Sequence, residues 1–148
     1  YLQIAQNLIS YFIGPEKVAL QVLDANNNSE AKLTNNKAIF KDIPLVILVN
    51  QGSASASEIV AGSLQDYKKA ILVGNQTYGK GTIQQLLEFT NGSSLKLTIA
   101  KWLTSNGRDI DEIGLTPDFE ISITETDILN NIDSQLEKAK EIIQDKIN

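Results

Sequence analysis

The sequence predicts an α/β domain, and three observations support that class. Two short apolar runs, residues 45–49 and 70–73, flank residues 55–67, in which apolar side chains recur at helical spacing. Two strands joined by a crossover of this length are typical of a parallel sheet. An Asn91-Gly92 pair between two further strand-like segments predicts a β-hairpin, because both turn positions tolerate a positive φ. We therefore expect a mixed sheet that contains a βαβ crossover and a hairpin, with flanking helices.

The N-terminal part predicts a helix and several short strands. Residues 1–13 place their apolar side chains on one face and are followed by a Gly-Pro pair, which indicates an amphipathic helix that packs on the sheet. Residues 18–23 predict a strand, and the polar residues 24–30 predict a turn. Residues 32–40 predict a short hairpin around an Asn-Asn pair.

The C-terminal part predicts the remaining strands and a last helix. Residues 83–89 and 94–100 form the two arms of the Asn-Gly hairpin, and the alternation along the second arm indicates one covered face and one more polar face. Residues 114–121 end the sheet region. Residues 133–147 carry one apolar stripe, typical of a helix that closes the domain or of a linker to a further segment.

The composition limits the classes of function. A chain of 148 residues suits one domain, and its formal net charge of -5, without a cluster of basic residues, argues against nucleic acid as a partner. No apolar run reaches the roughly 20 residues of a membrane span and no signal peptide opens the chain, so we expect these residues to be soluble. Since the chain lacks Met, we expect it to be a processed or excised piece of a longer protein.

Two absences limit the chemistry further. The chain has no His and no Cys, which excludes a Ser-His-Asp triad, a thiol nucleophile and every metal site that needs imidazole or thiolate ligands. We therefore expect neither a metal nor a cofactor. The nucleophiles and bases that remain are Ser, Thr, Lys, Tyr and the carboxylates.

The candidate site lies in residues 44–85. Ligands bind beyond the carboxyl ends of the strands in open α/β sheets, and the small-residue turn after the first apolar run lies at such an end. Ser55 begins the helical segment there, and the N–H of Ala56 beside it is placed to stabilise an oxyanion with help from the helix dipole. A serine hydroxyl is a weak nucleophile and needs a base to accept its proton.

Without His, the available base is a lysine that is held neutral. Lys80 follows the second apolar run and lies between two glycines, where close backbone packing would keep water from its amine. Burial favours the uncharged form of a lysine. If the chain is extended from this point, Lys80, Thr82 and Gln84 share one face, so Gln84 is placed to orient the amine by a hydrogen bond.

The local sequence leaves alternatives open. Ser55 and Glu58 also match a capping box, in which the serine only caps the helix and the glutamate reaches back to it. Ser53 and Ser57 compete for the role of nucleophile, and spacing alone does not choose among the three serines. A lysine between two glycines is also typical of a solvated loop. If Lys80 stays charged and Ser55 is only a cap, the fold is a non-catalytic module for binding or assembly.

A nucleotide-binding alternative rests on residues 74–81. They match the first seven positions of a phosphate-binding P-loop and follow a predicted strand. However, Gly81 stands where Ser or Thr should bind magnesium, and the residues that follow predict a strand and not the helix whose N-terminus would hold phosphate. This alternative is the weakest of the three.

Three motifs together resemble one family of peptidases. They are the SASASE run at residues 53–58, the YGKGT loop at residues 78–82 and the GLTPD segment at residues 114–118. In this combination, over about residues 1–121, the chain is similar to the carboxy-terminal processing peptidases, also called tail-specific proteases. The resemblance implies a Ser-Lys serine endopeptidase with a crotonase-like or Clp-protease-like α/β core.

The resemblance also assigns the site residues. It implies that Ser55, the middle serine of the run, is the nucleophile, that Lys80 is the base and that Gln84 positions the lysine. The Ala56 N–H would then bind the oxyanion. No role follows for Trp102, which occupies a variable position in the family.

The family further implies what surrounds this segment. Residues 1–121 are expected to be the C-terminal part of the catalytic domain, and residues 122–148 a closing helix or a linker. Family members carry an upstream PDZ domain and a loop that supplies a second oxyanion donor; we expect both to precede Tyr1, and the isolated chain to be nearly or wholly inactive without them. The implied substrate is an unfolded or flexible protein tail, cleaved outside the cytoplasm of a bacterial cell. The oligomeric state stays open.

Overall fold

The computed structural model describes residues 2–147, and the predicted α/β class is confirmed. Tyr1 and Asn148, at the ends of the ranges predicted above, lie outside the described residues. Residues 2–147 form four α-helices and seven β-strands. In chain order these are α1 (Leu2–Ile13), β1 (Val18–Asp24), β2 (Ser29–Leu33), β3 (Leu45–Val49), α2 (Ala56–Asp66), β4 (Ala70–Gly74), β5 (Thr82–Glu88), β6 (Ser94–Leu103), β7 (Phe119–Glu120), α3 (Glu125–Leu129) and α4 (Ser134–Ile147).

The predicted βαβ crossover forms a parallel sheet with the strand order β3-β4-β7. β3 and β4 pair with Leu45 opposite Ala70, and α2 connects them. The short strand β7 joins in parallel, and the Asp118 carboxylate before it accepts the Leu72 N–H at 2.7 Å. The turn from β3 into α2 therefore lies at the carboxyl edge of this sheet, where the sequence predicts the site.

The antiparallel strands form a second sheet with the order β2-β1-β6-β5. The sequence predicts a single mixed sheet, whereas the parallel and antiparallel ladders lie in two sheets, because β6 pairs with β1 and with no strand of the crossover. The predicted hairpin around Asn91-Gly92 is confirmed as β5–β6, with Gly92 at a φ of 81°. This hairpin extends from the loop that carries Lys80.

One predicted hairpin is wrong. β2 pairs with β1, so the turn lies at residues 25–28 and not at the Asn-Asn pair within residues 32–40. The reason is local, because one carboxylate oxygen of Asp24 accepts the backbone N–H groups of Asn26 and Asn28, at 2.8 and 2.9 Å. These bonds stabilise the earlier turn.

One apolar core joins α1 and α2 to both sheets. Its largest buried side chains, each 2% exposed or less, are Ile9, Leu20, Leu64, Leu72, Trp102 and Leu115. The helix α4 packs against β3 and β4 and buries Ala139 and Ile142, and the short helix α3 before it is not predicted from the sequence. The Asp133 carboxylate accepts the Leu136 N–H at 2.9 Å and so caps α4.

Candidate active site

Ser55 occupies the turn between β3 and α2 in a strained backbone conformation. Its φ of 59 degrees and ψ of -119 degrees lie in a region that favours glycine. Holding a serine there costs on the order of 1–3 kcal/mol, which the surrounding structure must offset. Here the Tyr78 N–H donates to the Ser53 carbonyl at 3.0 Å, and the Ser55 N–H donates to Glu58 Oε2 at 2.8 Å. Such strain is concentrated at functional sites.

The predicted capping box is present at the start of α2, and only one of its two arms is a well-formed hydrogen bond. Glu58 accepts the Ser55 N–H at 2.8 Å, whereas the Ser55 hydroxyl faces the Glu58 backbone N–H without reaching hydrogen-bond geometry. The competing serines are engaged in their own turn: the Ser57 hydroxyl donates to a backbone carbonyl at 2.7 Å, and the Ser53 hydroxyl accepts a backbone N–H at 3.2 Å. Geometry thus distinguishes Ser55 from its neighbours, which spacing alone does not.

Lys80 lies in a loop that requires its glycine neighbours. A side chain at residue 79, where φ is +86°, would come within 2.7 Å of the Gly114 nitrogen, and one at residue 81 would come within 2.8 Å of Asp111 Cβ. This close approach leaves Lys80 half-buried. None of the ion pairs among residues 2–147 involves its amine.

Glu58 is fully buried and joins the turn of Ser55 to the loop of Lys80. Four donors surround its carboxylate: the Thr77 hydroxyl at 2.5 Å and the backbone N–H groups of Gly79, Ser55 and Lys80 at 2.7, 2.8 and 3.0 Å. A buried carboxylate is strongly destabilising unless it is hydrogen-bonded, so these four bonds permit its burial. Because one carboxylate holds both backbones, it sets the separation of Ser55 from Lys80.

Trp102 holds the Lys80 loop from the other side. Its indole N–H donates to the Lys80 carbonyl at 2.9 Å, and its backbone N–H donates to the Gly81 carbonyl at 2.8 Å. The sequence assigned no role to Trp102 and treated Glu58 only as a capping residue. An acidic residue in the first turn of a helix, next to a candidate nucleophile, is a signal that could have found Glu58. Trp102 leaves no such signal, because its partner is a backbone carbonyl.

The four predicted site residues line one cavity. Ser55, Ala56, Lys80 and Gln84 border a cavity of about 370 Å³. The rest of its lining consists of Leu2, Ile59, Thr82, Ile83, Lys96 and Trp102. Among residues 2–147, no hydrogen bond uses the Ala56 N–H, so this group is free to bind an oxygen atom. The structure therefore brings together every side chain and amide that the sequence placed in the site.

The cavity continues into a wider depression along the hairpin. This second space of about 570 Å³ shares Lys80, Gln84 and Lys96 with the first and reaches Tyr78 and Asp111. Lys80 and Gln84 therefore face the same side of the extended segment, as the sequence predicts. The two spaces together form an open groove in which Ser55 lies to one side.

The loop at residues 74–81 is not arranged to hold phosphate. The strand β5 follows it where a P-loop needs a helix. The N–H groups of Gly79 and Lys80 donate to Glu58, and that of Gly81 donates to the Asp111 carboxylate at 3.2 Å. Because the loop amides already bind carboxylates, the geometry gives no support to the nucleotide-binding alternative.

The described part of the chain contains neither a metal-binding cluster nor a membrane-spanning helix. Within residues 2–147, no group of three or more acidic side chains is placed to hold a metal ion. None of the helices in that range is long and apolar enough to cross a membrane.

The sequence also matches a known family. The family model described as Peptidase family S41 matches residues 1–121, which is more than half of the chain. The chain belongs to peptidase family S41. This membership confirms the resemblance to the carboxy-terminal processing peptidases.

Named relatives agree with membership in family S41. Carboxyl-terminal-processing peptidase 3, chloroplastic, of Arabidopsis thaliana is 46% identical over 107 residues, which are 72% of this chain and 20% of that protein. The carboxyl-terminal-processing protease of Synechocystis sp. is 39% identical over 132 residues, 87% of this chain and 31% of that protein. The chain thus spans about a fifth to a third of the length of these relatives.

Solved structures confirm the S41 fold. The photosystem II D1 C-terminal processing protease is 31% identical with a TM-score of 0.75, over 87% of this chain and 34% of that chain. Mature CPAF complexed with lactacystin is 28% identical with a TM-score of 0.62, over 71% and 21%. The tricorn protease, 18% identical with a TM-score of 0.65 over 98% and 14%, shows likeness of fold alone.

Proposed function

We propose that Ser55 and Lys80 form the catalytic dyad of a serine-type endopeptidase that cuts flexible protein tails. The observation that carries this proposal is the single cavity bordered by Ser55, Ala56, Lys80 and Gln84. The strained Ser55 backbone adds support. A relative from Staphylococcus epidermidis, 41% identical over 133 residues that are 88% of this chain and 27% of that protein, is named "Probable CtpA-like serine protease".

Each of the four residues has one task in the proposed reaction. The neutral Lys80 amine accepts the Ser55 hydroxyl proton while Oγ forms a bond to the scissile carbonyl carbon. The Ala56 N–H binds the resulting oxyanion. When the carbon–nitrogen bond breaks, Lys80 returns the proton to the leaving amine and an acyl-enzyme remains, which water hydrolyses by the same route. Gln84 holds the lysine amine toward Ser55.

Covalent labelling tests the nucleophile directly. An activated phosphonate is added to the full-length protein, and mass spectrometry of its peptides locates the label. We expect the label on Ser55 and its complete loss in Ser55→Ala. Ser57→Ala is the matched control, because Ser57 lies two residues further along the chain with its hydroxyl bonded to a backbone carbonyl.

The base is tested by Lys80→Met and Lys80→Arg. Neither side chain can accept a proton, so we expect labelling and peptide cleavage to fall by at least about a hundredfold in both. Labelling that persists at Ser55 in both variants would contradict the dyad. A wild-type protein that is folded yet neither labelled nor active would instead indicate a non-catalytic binding module.

We further propose that the whole protein supplies parts beyond these residues. In this proposal residues 1–121 are the C-terminal part of the catalytic domain and residues 122–148 close it, while an upstream PDZ domain and a second oxyanion donor complete the enzyme outside the cytoplasm. The chain spans only about a fifth to a third of the length of its relatives, which motivates the proposal of further parts. Loss of one oxyanion donor slows catalysis by about a hundred- to a thousandfold. Equal turnover of the isolated chain and the full-length protein would contradict it.

A further inference from the structure

The β5–β6 hairpin leaves one edge of the antiparallel sheet open beside the cavity. β5 is the edge strand in the order β2-β1-β6-β5, and it begins at Thr82, shortly after Lys80. Every side chain from residue 84 to residue 99 is exposed, so none of the described residues covers this edge. Edge strands are usually blocked by charges, proline or bulges. The outer part of β5, with the sequence QQLLE, carries a single charge at Glu88.

The backbone groups that face the open edge follow from the hydrogen bonds at the two ends of β5. The Gly81 carbonyl accepts an N–H from β6 at 2.8 Å, and the Phe89 N–H donates to the returning chain at 2.9 Å. The β5–β6 ladder has one register shift, between Ile83 and Gln84, and the extra residue there belongs to β6. Residues alternate in direction along an antiparallel strand, and the bonds at both ends involve odd-numbered residues, so odd-numbered residues of β5 bond to β6. The N–H and C=O groups of Gln84, Leu86 and Glu88 therefore point to the open edge.

One face of the hairpin is apolar. Leu87 and Phe89 lie on it together with Leu95 and Leu97 of β6, and these four side chains are between 37% and 50% exposed. The opposite face carries Gln84 and continues the groove. A strand added to the open edge would place alternate side chains over the apolar face and the others over the groove.

We propose that the open edge of β5 binds the substrate as an added β-strand, an extended polypeptide segment whose alternate residues are apolar. This inference rests on the proposed function, because it needs cleavage to occur at Ser55. Continuity of the edge with the cavity supports it, since Thr82 and Gln84 belong to both. Main-chain pairing gives affinity for any extended chain, and the apolar face of the hairpin gives a preference for segments with apolar alternate residues. A folded protein cannot pair in this way, because its backbone groups are already bonded.

A scan of N-methylated peptides tests the pairing on the wild-type full-length protein. A flexible peptide of about ten residues is made as a series, each member with one N-methyl group outside the scissile bond and its neighbours. An added strand donates every second N–H to β5, so we expect kcat/KM to fall by about tenfold or more at alternate positions only. Equal effects at all positions would overturn the proposal.

Two single proline substitutions, made in separate variants, test the β5 edge by changing the protein instead of the peptide. Leu86→Pro removes an outward N–H that β6 does not use, and proline is tolerated at such edge positions. Ala31→Pro is the matched control on β2, the other edge strand, where the Asp24 to Asn28 bond shows that odd-numbered residues face outward. We expect Leu86→Pro to raise KM for the peptide by about tenfold while phosphonate labelling of Ser55 stays within about twofold, and Ala31→Pro to change neither. An unchanged KM in Leu86→Pro would count against the proposal.

The outcomes separate this inference from the proposed function. If the wild type is labelled at Ser55 and cleaves, but alternation and the Leu86→Pro effect are both absent, the edge proposal alone is wrong. If the wild type is neither labelled nor active, the proposed function fails and the edge proposal falls with it. If Leu97→Thr dissociates a dimer in analytical ultracentrifugation and leaves peptide cleavage unchanged, the apolar face is an interface between copies and the proposal is wrong.

Discussion

The loop that carries Lys80 and the hairpin that extends from it use their backbones in opposite ways. Each backbone N–H from residue 77 to residue 81 donates a hydrogen bond within the protein, to Leu115, Ser53, Glu58 or Asp111. From residue 84 to residue 99, by contrast, no side chain is buried, and one edge of β5 is open. The two segments are nearly adjacent in the chain, so sequence position does not explain the difference.

The loop and the hairpin that follows it meet two different physical requirements. A base must be held within about half an ångström of its productive position at hydrogen-bond distance from the nucleophile, and only residues locked by a surrounding network achieve this. A surface that binds many different polypeptides must instead leave its backbone groups unpaired. In the two proposals made above, Lys80 lies where the first requirement applies, and Gln84 lies where the second begins.

Glu58→Gln removes the main support of the rigid Lys80 loop and has the largest expected effect. The amide keeps the shape of the carboxylate but turns one acceptor oxygen into a donor, so two of the four donors around it lose their acceptor. We expect the free energy of unfolding, from urea denaturation, to fall by about 2–4 kcal/mol. We also expect phosphonate labelling of Ser55 to slow by at least about a hundredfold, because both backbones lose their common anchor.

Glu141→Gln is the control for this change. Glu141 is an exposed residue of α4 that pairs with Lys138 at the surface, so its replacement should alter stability by less than about 0.5 kcal/mol. If Glu58→Gln behaves like the control in both measurements, the role assigned to Glu58 is wrong.

Trp102→Phe weakens the second support of the rigid loop. It keeps an aromatic side chain in the core but removes the indole N–H that donates to the Lys80 carbonyl. We expect a loss of about 1–2 kcal/mol in stability and labelling of Ser55 that is slower by about tenfold. Tyr67→Phe removes a similar side-chain donor to the Val18 carbonyl, at 3.1 Å, so labelling should stay unchanged there.

Leu97→Thr tests whether the apolar face of the β5–β6 hairpin is exposed and contributes to peptide binding. Leu97 is exposed, and threonine is well accommodated in strands, so we expect stability to change by no more than about 0.5 kcal/mol. KM for a flexible peptide should rise a few-fold, because apolar contact area is lost on the hairpin. The same exchange at Leu64, which is fully buried, should cost at least about 2 kcal/mol. Similar stability losses at the two sites would show that the hairpin is packed.

Asp24→Asn has the smallest expected effect and concerns the other hairpin of the same sheet. The hydrogen bond from the Asn28 side-chain amide, followed by that from the Asn28 backbone N–H, holds the pKa of the Asp24 carboxyl below its ordinary value. A carboxyl group whose pKa is lower in the folded state than in the unfolded state stabilises the fold at pH values above its unfolded pKa. This contribution is lost as the pH falls through its folded pKa. Between pH 6 and pH 3, the free energy of unfolding measured with urea should therefore fall further in the wild type than in Asp24→Asn. Equal losses would show that the turn does not depend on the charge.

Local patterns predicted most of the fold. The apolar runs of β3 and β4, the helical spacing of α2 and the Asn91-Gly92 turn each act over a few residues, and each is confirmed. The turn predicted within residues 24–30 is also confirmed, but the hairpin predicted within residues 32–40 is wrong, because β2 pairs back with β1 across the turn that Asp24 stabilises. The motifs and the family resemblance likewise named Ser55, Ala56, Lys80 and Gln84, which are four of the ten residues that line the cavity.

By itself, the sequence determined the fold class and the candidate residues Ser55, Lys80 and Gln84, because strand, helix and turn preferences and the motifs are properties of neighbouring residues. Only the tertiary structure decided what holds those residues in place. Glu58 accepts backbone N–H groups from a distant loop, and Trp102 donates to a backbone carbonyl. Every residue offers such backbone groups, so bonds of this kind leave no pattern in the sequence and arise only when the chain has folded.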